Sequence, residues 1–268
     1  MDAATFGPWA VVTGASSGIG KEFARQLAAS GIHLVLAARR AAELQAVGRE
    51  LSKAFGVQHR VVAVDLGEPG GINALEAATQ ELDVGLLVSN AGDARPGEFL
   101  SASLDDLHTL VRVNVVAHLD LVHHFGRRLA ARGRGGIILV GAAGASNGVP
   151  FMAHAAATKA YIRSLGEGLH VELGKRGINV TVLLPGPTDT PALDKLGVEN
   201  PPMKPLGVEQ CVSEALGALT AHRSSIIPGR LMRAMVALVP ASVVRAQTAK
   251  MFEVALKLKP GALRSAGR

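Results

Sequence analysis

Between an apolar run, Pro8-Trp9-Ala10-Val11-Val12, and a stretch of helical apolar spacing from Lys21 onward stands Thr13-Gly14-Ala15-Ser16-Ser17-Gly18-Ile19-Gly20. Three glycines between a strand and a helix bring backbone N–H groups to the positive helix end, a setting that suits a phosphate. Gly14 permits a tight turn, Gly18 lets a ligand approach the backbone, and Gly20 lets helix and strand pack closely. Ser16 and Ser17 offer hydroxyl donors to the same guest. A plain glycine loop would contain the same residues, so the motif gains weight only from its surroundings. A Walker-type loop is excluded by position: Ala15 stands five residues before Gly20, and Glu22 follows Lys21 directly.

The elements that must hold such a turn are legible along the chain. Apolar runs at 8–12, 32–38, 60–64, 84–89, 136–140, 179–184 and 224–228 read as buried strands. Helical spacing fills 21–30, 41–55, 68–82 and 104–129 between them. Regular alternation of strand and helix predicts a parallel sheet with helices on both faces. The fold expected is α/β, a three-layer Rossmann fold whose doubly wound sheet has about seven strands, with its ligand crevice at the strand carboxyl ends.

Composition sets outer bounds. With 268 residues, 48% hydrophobic and only 3% aromatic, the chain can build a sizeable core, but from Ala, Val, Leu and Ile. The single cysteine, Cys211, rules out an internal disulfide and suits a reducing compartment. Met1 to Pro8 lacks a basic start and an apolar stretch, and no uncharged run is long enough to cross a bilayer, so a soluble cytoplasmic protein is expected. Residues 1–229 are expected to form the dinucleotide-binding domain with its crevice, and 230–268 a basic, amphipathic helical extension of it.

The spacing Thr-Gly-x-x-x-Gly-x-Gly resembles that of the short-chain dehydrogenase/reductase family, Rossmann-type nicotinamide enzymes, and later segments agree with it. The second strand ends at Arg39-Arg40, where an NAD-preferring fold usually carries an acid for the ribose 2′-hydroxyl. Two guanidinium forks suit a 2′-phosphate better, so NADP(H) is expected over NAD(H). The resemblance places Asp65, with Leu66 beside it, at the adenine pocket, although a turn or cap acid would read the same. It also matches Asn90-Ala91-Gly92 to the family's Asn-Asn-Ala-Gly, with Ser89 in the first place. Asn114 matches the asparagine that kinks its helix and holds a water of the proton relay. Pro185-Gly186-Pro187-Thr188-Asp189-Thr190 matches the turn past the nicotinamide, Thr190 corresponding to the threonine that binds the carboxamide.

The pattern breaks where protons are handled. The resemblance implies a Ser-Ser pair after the fifth strand and a Tyr-x-x-x-Lys on the next helix. Lys159 is in place and could hold the nicotinamide ribose, but the tyrosine position is Ala155 and the serine position is Ala142. Lysine one turn away lowers a phenol's pKa, and that phenol then serves as general acid or base. Alanine can do neither, and losing a positioned proton donor costs roughly 10²–10⁴ in rate. Three replacements come into question: His154, about 100° round the helix from the empty slot, Asp93, and a water held by Lys159 and Asn114. Each side chain also reads as solvated or structural. His118, His123 and His124 lack acid or cysteine partners at ligand spacing and read as helix-surface histidines; no metal is expected.

From Arg223 to the end the chain holds nine Lys or Arg against one acid, Glu253, so its net charge of +6 belongs to this tail. There Val244, Met251, Phe252, Ala255 and Leu258 recur at helical spacing. A weak membrane-surface contact or lipid-substrate lid is one reading; docking on its own domain or on a partner subunit is the other. No recognition module accompanies the charge, which argues against nucleic acid. A Pro-rich stretch, 191–205, is placed to cover a small apolar substrate, and a homodimer or homotetramer is expected. Three functions stay open: an NADP(H)-dependent oxidoreductase acting on an apolar or pre-activated carbonyl or imine, a non-redox cyclase or isomerase, and a catalytically silent NADP(H)-binding protein or inactivated variant.

Overall fold

The computed structural model describes residues 1–197 and 204–257. α1 (Ala3–Phe6) leads into β1 (Trp9–Thr13), followed by α2 (Gly18–Ala29), β2 (His33–Ala38), α3 (Ala41–Phe55), β3 (His59–Ala63), α4 (Gly71–Ala77) and β4 (Val84–Ser89). α5 (Leu104–Val111) continues through a π-helical segment, Arg112–Val116, into α6 (Ala117–Arg132). β5 (Gly135–Val140), α7 (Ala153–Gly174), β6 (Ile178–Leu183), α8 (Pro191–Asp194), α9 (Val208–Thr220), β7 (Ser225–Ile226), α10 (Arg230–Leu238) and α11 (Ala241–Ala255) complete it.

The sheet runs β3-β2-β1-β4-β5-β6-β7, and every pairing is parallel. Right-handed crossovers force helices onto both faces, which buries the strands on both sides. Alternate residues therefore serve two cores: Ala10 and Val12 pack with Phe23, Leu27, Leu44 and Leu219 on one face. Val11 packs with Leu121, Phe125, Leu129 and Ile162 on the other. Each fully buried Leu or Phe contributes about 1.5–3 kcal/mol, so aliphatic layers suffice without many aromatics. α7 lies close on β6 because Gly166 has no Cβ, which would overlap the Val182 side chain. The order reverses between β1 and β4, so the crevice of a doubly wound sheet opens there.

Two helices differ from expectation. The helix predicted over 68–82 shrinks to Gly71–Ala77. Gly70 takes a left-handed φ of 86° and delays its start, while the Thr79 hydroxyl and the Arg128 guanidinium hold the turn after it. The helix predicted over 104–129 is not continuous: Ala117 N–H bonds the Arg112 carbonyl five residues back, and the widened turn carries Asn114. Within the stretch expected to cover the substrate, α8 is a short helix, and 198–203 lies outside the described residues, as does Leu258.

Candidate active site

The glycine turn fits a diphosphate. Gly14 and Gly18 adopt φ of 65° and 53°, which side-chain-bearing residues seldom take. A Cβ on Gly20 would overlap the Gly14 carbonyl oxygen, so only glycine lets α2 start this close to β1. A Cβ on Gly18 would lie 3.3 Å from the Thr190 side chain, so the expected role for Gly18 is joined by a packing one. α2 opens with no acid in its first turn, and neither the exposed Ser17 nor any other side chain caps it. Its N–H groups suit a phosphate, and Ile19 packs on the core behind them.

Beside this turn, Arg40 Nη2 donates to Ser16 Oγ at 3.1 Å, while Arg40 Nη1 pairs with Glu43 at 3.2 Å. Arg39, 74% exposed at its side chain, stands 3.8 Å from Asp65 Oδ2. The Asp65 Oδ1 accepts from Gly67 N–H at 2.9 Å, and Leu66 is buried behind it. Two guanidinium groups and a hydroxyl thus border the end of β2.

Thr13 ties β1 to β4. Its Oγ1 accepts from Asn90 N–H (2.9 Å) and Ala91 N–H (3.0 Å), while Asn90 Nδ2 donates to the Thr13 carbonyl (2.9 Å). His118 is not the helix-surface residue expected: it is 1% exposed, on the inner face of α6. Its Nε2 lies 2.8 Å from the Ala91 carbonyl and its Nδ1 2.8 Å from Ser89 Oγ. A carbonyl only accepts, so the proton sits on Nε2 and Nδ1 accepts from the Ser89 hydroxyl. Burial, then the nearby Lys159 charge, pushes the imidazole down to about 3. A neutral histidine therefore holds Asn90-Ala91-Gly92 from below. His123 is exposed and His124 pairs with Glu76. Among the described residues no three His, Cys, Asp or Glu side chains converge as a metal site.

Lys159 projects from α7 to the end of β5, its Nζ 3.0 Å from the Val140 carbonyl oxygen. Burial lowers its pKa to about 8. A Cβ on Gly92 would come within 2.9 Å of that nitrogen and 3.2 Å of Asn114 Oδ1, so glycine here leaves the ammonium its place without a shift. Ala155 precedes Lys159 by one turn and is buried; Ala142 is half-buried after β5. Asn114 is wholly buried and fully engaged: Nδ2 donates to Asp93 O (2.8 Å) and Thr158 Oγ1 (3.0 Å), and Oδ1 accepts from Asp93 N–H (2.8 Å). That accounts for an amide among apolar neighbours.

The two alternative proton donors are occupied elsewhere. The Asp93 carboxylate accepts from Ala94 N–H (2.9 Å) and pairs with Arg95 (3.2 Å). His154 uses Nε2 on the Leu107 carbonyl, 2.8 Å away. His154 and Arg95 instead border a cavity of about 270 Å³ walled by Phe99, Leu110, Phe151, Met152 and Ala155. That cavity adjoins the position where a tyrosine was expected. Thr158 and Arg95 were missed in the sequence, Thr13 was seen only as part of the glycine motif, and His118 was read as a surface residue; the four-residue spacing of Asn114 and His118 was the one signal that both face inward.

The turn after β6 closes the far side. Thr188 Oγ1 donates to Gly186 O at 3.0 Å and Thr190 Oγ1 to Thr188 O at 3.3 Å. Pro185 O accepts from Ala143 N–H, linking this turn to the one after β5.

The family model for short chain dehydrogenase matches residues 8–200. The chain is 31% identical over 234 residues to the 7beta-hydroxysteroid dehydrogenase of Collinsella aerofaciens, covering 84% of this chain and 87% of that protein. It is 32% identical over 219 residues to the very-long-chain 3-oxoacyl-CoA reductase of Podospora anserina, covering 72% and 64%. A solved 7beta-hydroxysteroid dehydrogenase superposes with a TM-score of 0.84 at 28% identity over 92% of this chain and 98% of that one. A short-chain dehydrogenase from Sphingobium yanoikuyae in complex with NADPH gives 0.79 at 28% identity over 95% and 97%.

Proposed function

The chain belongs to the short chain dehydrogenase family, and from that premise we propose that it is an NADP(H)-dependent oxidoreductase with a non-standard proton relay. The observation that carries this reading is the pairing of a retained Lys159 with Ala155, one turn before it at the cavity wall. The nicotinamide cofactor, when bound, supplies a hydride. Gly14, Gly18 and Gly20 admit its diphosphate at the α2 terminus, and Ser16 with Arg40 supports a 2′-phosphate over a hydroxyl.

A ketone that accepts a hydride must also take a proton at oxygen. An iminium ion, R₂C=N⁺HR, already carries that proton: the hydride pair enters carbon, the C=N π pair moves to nitrogen, and a neutral amine leaves. A centre whose Tyr and Ser positions hold Ala155 and Ala142 therefore suits an apolar substrate activated beforehand, an imine protonated in solution or a similarly polarised carbonyl. Lys159 is the side chain left to give a proton, directly or through a water, because the neighbouring Asn114 amide does not titrate and only holds Asp93 O and Thr158 Oγ1.

The protein acts in the cytoplasm on a small molecule, without nucleic acid. Exposed Val116, Leu119 and Val171, near a groove of about 200 Å³ along α6 and α7, support a homodimer or homotetramer. Fluorescence titration with NADPH and NADH, followed by NADPH consumption over ketones and imines, tests the reading. Tighter NADPH binding with turnover confined to imines or activated carbonyls is expected; equal affinities, or no consumption of NADPH with any substrate, would contradict it.

A further inference from the structure

α10 and α11 pack on the turn after β6 and the loop after β5, and each leaves apolar residues exposed. On the inner side of α10, Met232 rests against Gly186 in the turn after β6. Arg233 there pairs with Glu214 at 2.7 Å and donates to the Ile227 carbonyl at 2.9 Å. On its outer side Leu231, Ala234 and Leu238 form a stripe at helical spacing, with Leu231 70% and Leu238 79% exposed. α11 is fixed by Phe252, its one buried residue, and by Arg245, which donates to the Asn147 carbonyl beyond β5. Val243 and Val254 stand exposed on it. Both helices thus lie on loops that border the crevice, after β5 and after β6.

The exposed charges on these two helices and just beyond them are all cationic. Arg230, Arg245, Lys250 and Lys257 are exposed, and the one acid in the two helices, Glu253, is half-buried. Among the described residues no helix is long and apolar enough to cross a membrane, so this surface can lie on a bilayer but not span it. A second copy seated on the same face about a twofold axis would bring two cationic faces together, with no exposed acid on either to offset Arg230 and Lys250. An acidic lipid surface meets both halves of the pattern: acyl chains for the leucines and valines, phosphates for the cations.

We infer that α10 and α11 form a peripheral docking surface for an anionic phospholipid bilayer, orienting the crevice mouth toward the lipid. Leu231, Leu238 and Val254 enter the headgroup layer, and Lys250 and Lys257 pair with phosphates. Apolar substrates then reach the crevice from the membrane side.

Sedimentation of the full-length protein with vesicles tests this. Binding to phosphatidylcholine vesicles containing phosphatidylglycerol is expected, with much weaker binding to pure phosphatidylcholine and loss at high salt. L238D/V254D should abolish binding, and each of K250E and K257E should lower it roughly fivefold or more. All should keep the NADPH affinity of the parent protein, which shows that they fold. No binding of the parent protein to either vesicle, or equal binding by the variants, would overturn the inference. So would a drop in particle mass on L238D/V254D, which would make this face a subunit interface.

Discussion

Ala155 and Lys159 share one face of α7, four residues apart, and the Lys159 ammonium is bonded to the Val140 carbonyl at 3.0 Å rather than to a phenol. The position one turn before Lys159 holds no tyrosine but Ala155. The 270 Å³ cavity beside Ala155 leaves room for a ring to project from that position.

Restoring both hydroxyls with Ala155→Tyr and Ala142→Ser should therefore create ordinary ketone reduction. A positioned proton donor contributes roughly 10²–10⁴ in rate, so NADPH oxidation with a simple ketone should rise by about that factor. An unchanged rate in a double variant that still binds NADPH would mean that the crevice is not a reductase pocket.

Arg40 and Ser16, 3.1 Å apart, should set the cofactor preference. A hydrogen bond to a charged group is worth about 1.5–3 kcal/mol. Arg40→Ala should thus weaken NADPH binding roughly 10- to 100-fold and leave NADH binding almost unchanged. Isothermal titration with both cofactors checks this, and an equal loss for the two would remove the 2′-phosphate argument.

Lys159 should show opposite effects on stability and binding. Its folded pKa of about 8 lies below the ordinary 10.5 because of burial. Between these values the unfolded chain binds more protons, so rising pH stabilises the fold, and the cost of burying the charge is borne in full below about 8. Lys159→Met should accordingly keep or raise the melting temperature at neutral pH while weakening NADPH binding about tenfold or more. Any ketone turnover that draws its proton from this ammonium should fall as pH passes about 8. A variant that melts lower yet binds NADPH normally would reverse the assignment.

His118 predicts an acid-sensitive step. Its folded pKa of about 3 lies under the ordinary 6.5, so the unfolded chain takes up the extra proton as pH falls through that window. The loss should be about 2 kcal/mol between roughly pH 6.5 and 5, at the limit of about 1.4 kcal/mol per unit for one proton. His118→Gln can keep the bond to Ala91 without titrating, so its stability should vary less with pH there. Denaturant melts across that range decide it; identical slopes would show that another group titrates.

Legibility in the sequence followed distance along the chain. The glycine turn, the strand ends and Arg39-Arg40 are local patterns, and each lies at the carboxyl edge of the sheet as the alternation implied. His118 was misread because nothing adjacent in the chain marks it as buried: its partner Ser89 is 29 residues away. Ser89 itself stood out only as a departure from the Asn-Asn-Ala-Gly pattern; its hydroxyl and the buried imidazole are one arrangement. The π-helical turn at Arg112–Val116 has no local mark except Asn114, whose three partners come from the β4 turn and α7. Asp93 and His154 could be weighed in the sequence but not assigned, since their partners, Arg95 and the Leu107 carbonyl, depend on loop geometry. In the tail the inward residue Phe252 followed helical spacing, whereas the outward Leu231 and Leu238 had no reason in the sequence to be left uncovered.

The central claim is that the cofactor cradle is whole and the reaction centre lacks an exchangeable hydroxyl. Steady-state NADPH oxidation by the unaltered protein, with a cyclic ketone and the iminium of the same ring compared side by side, tests it most directly. Turnover of the iminium with the ketone slower by roughly 10² or more is the predicted result. Ketone turnover equal to that of the iminium, and unchanged in the Ala155→Tyr, Ala142→Ser protein, would contradict it.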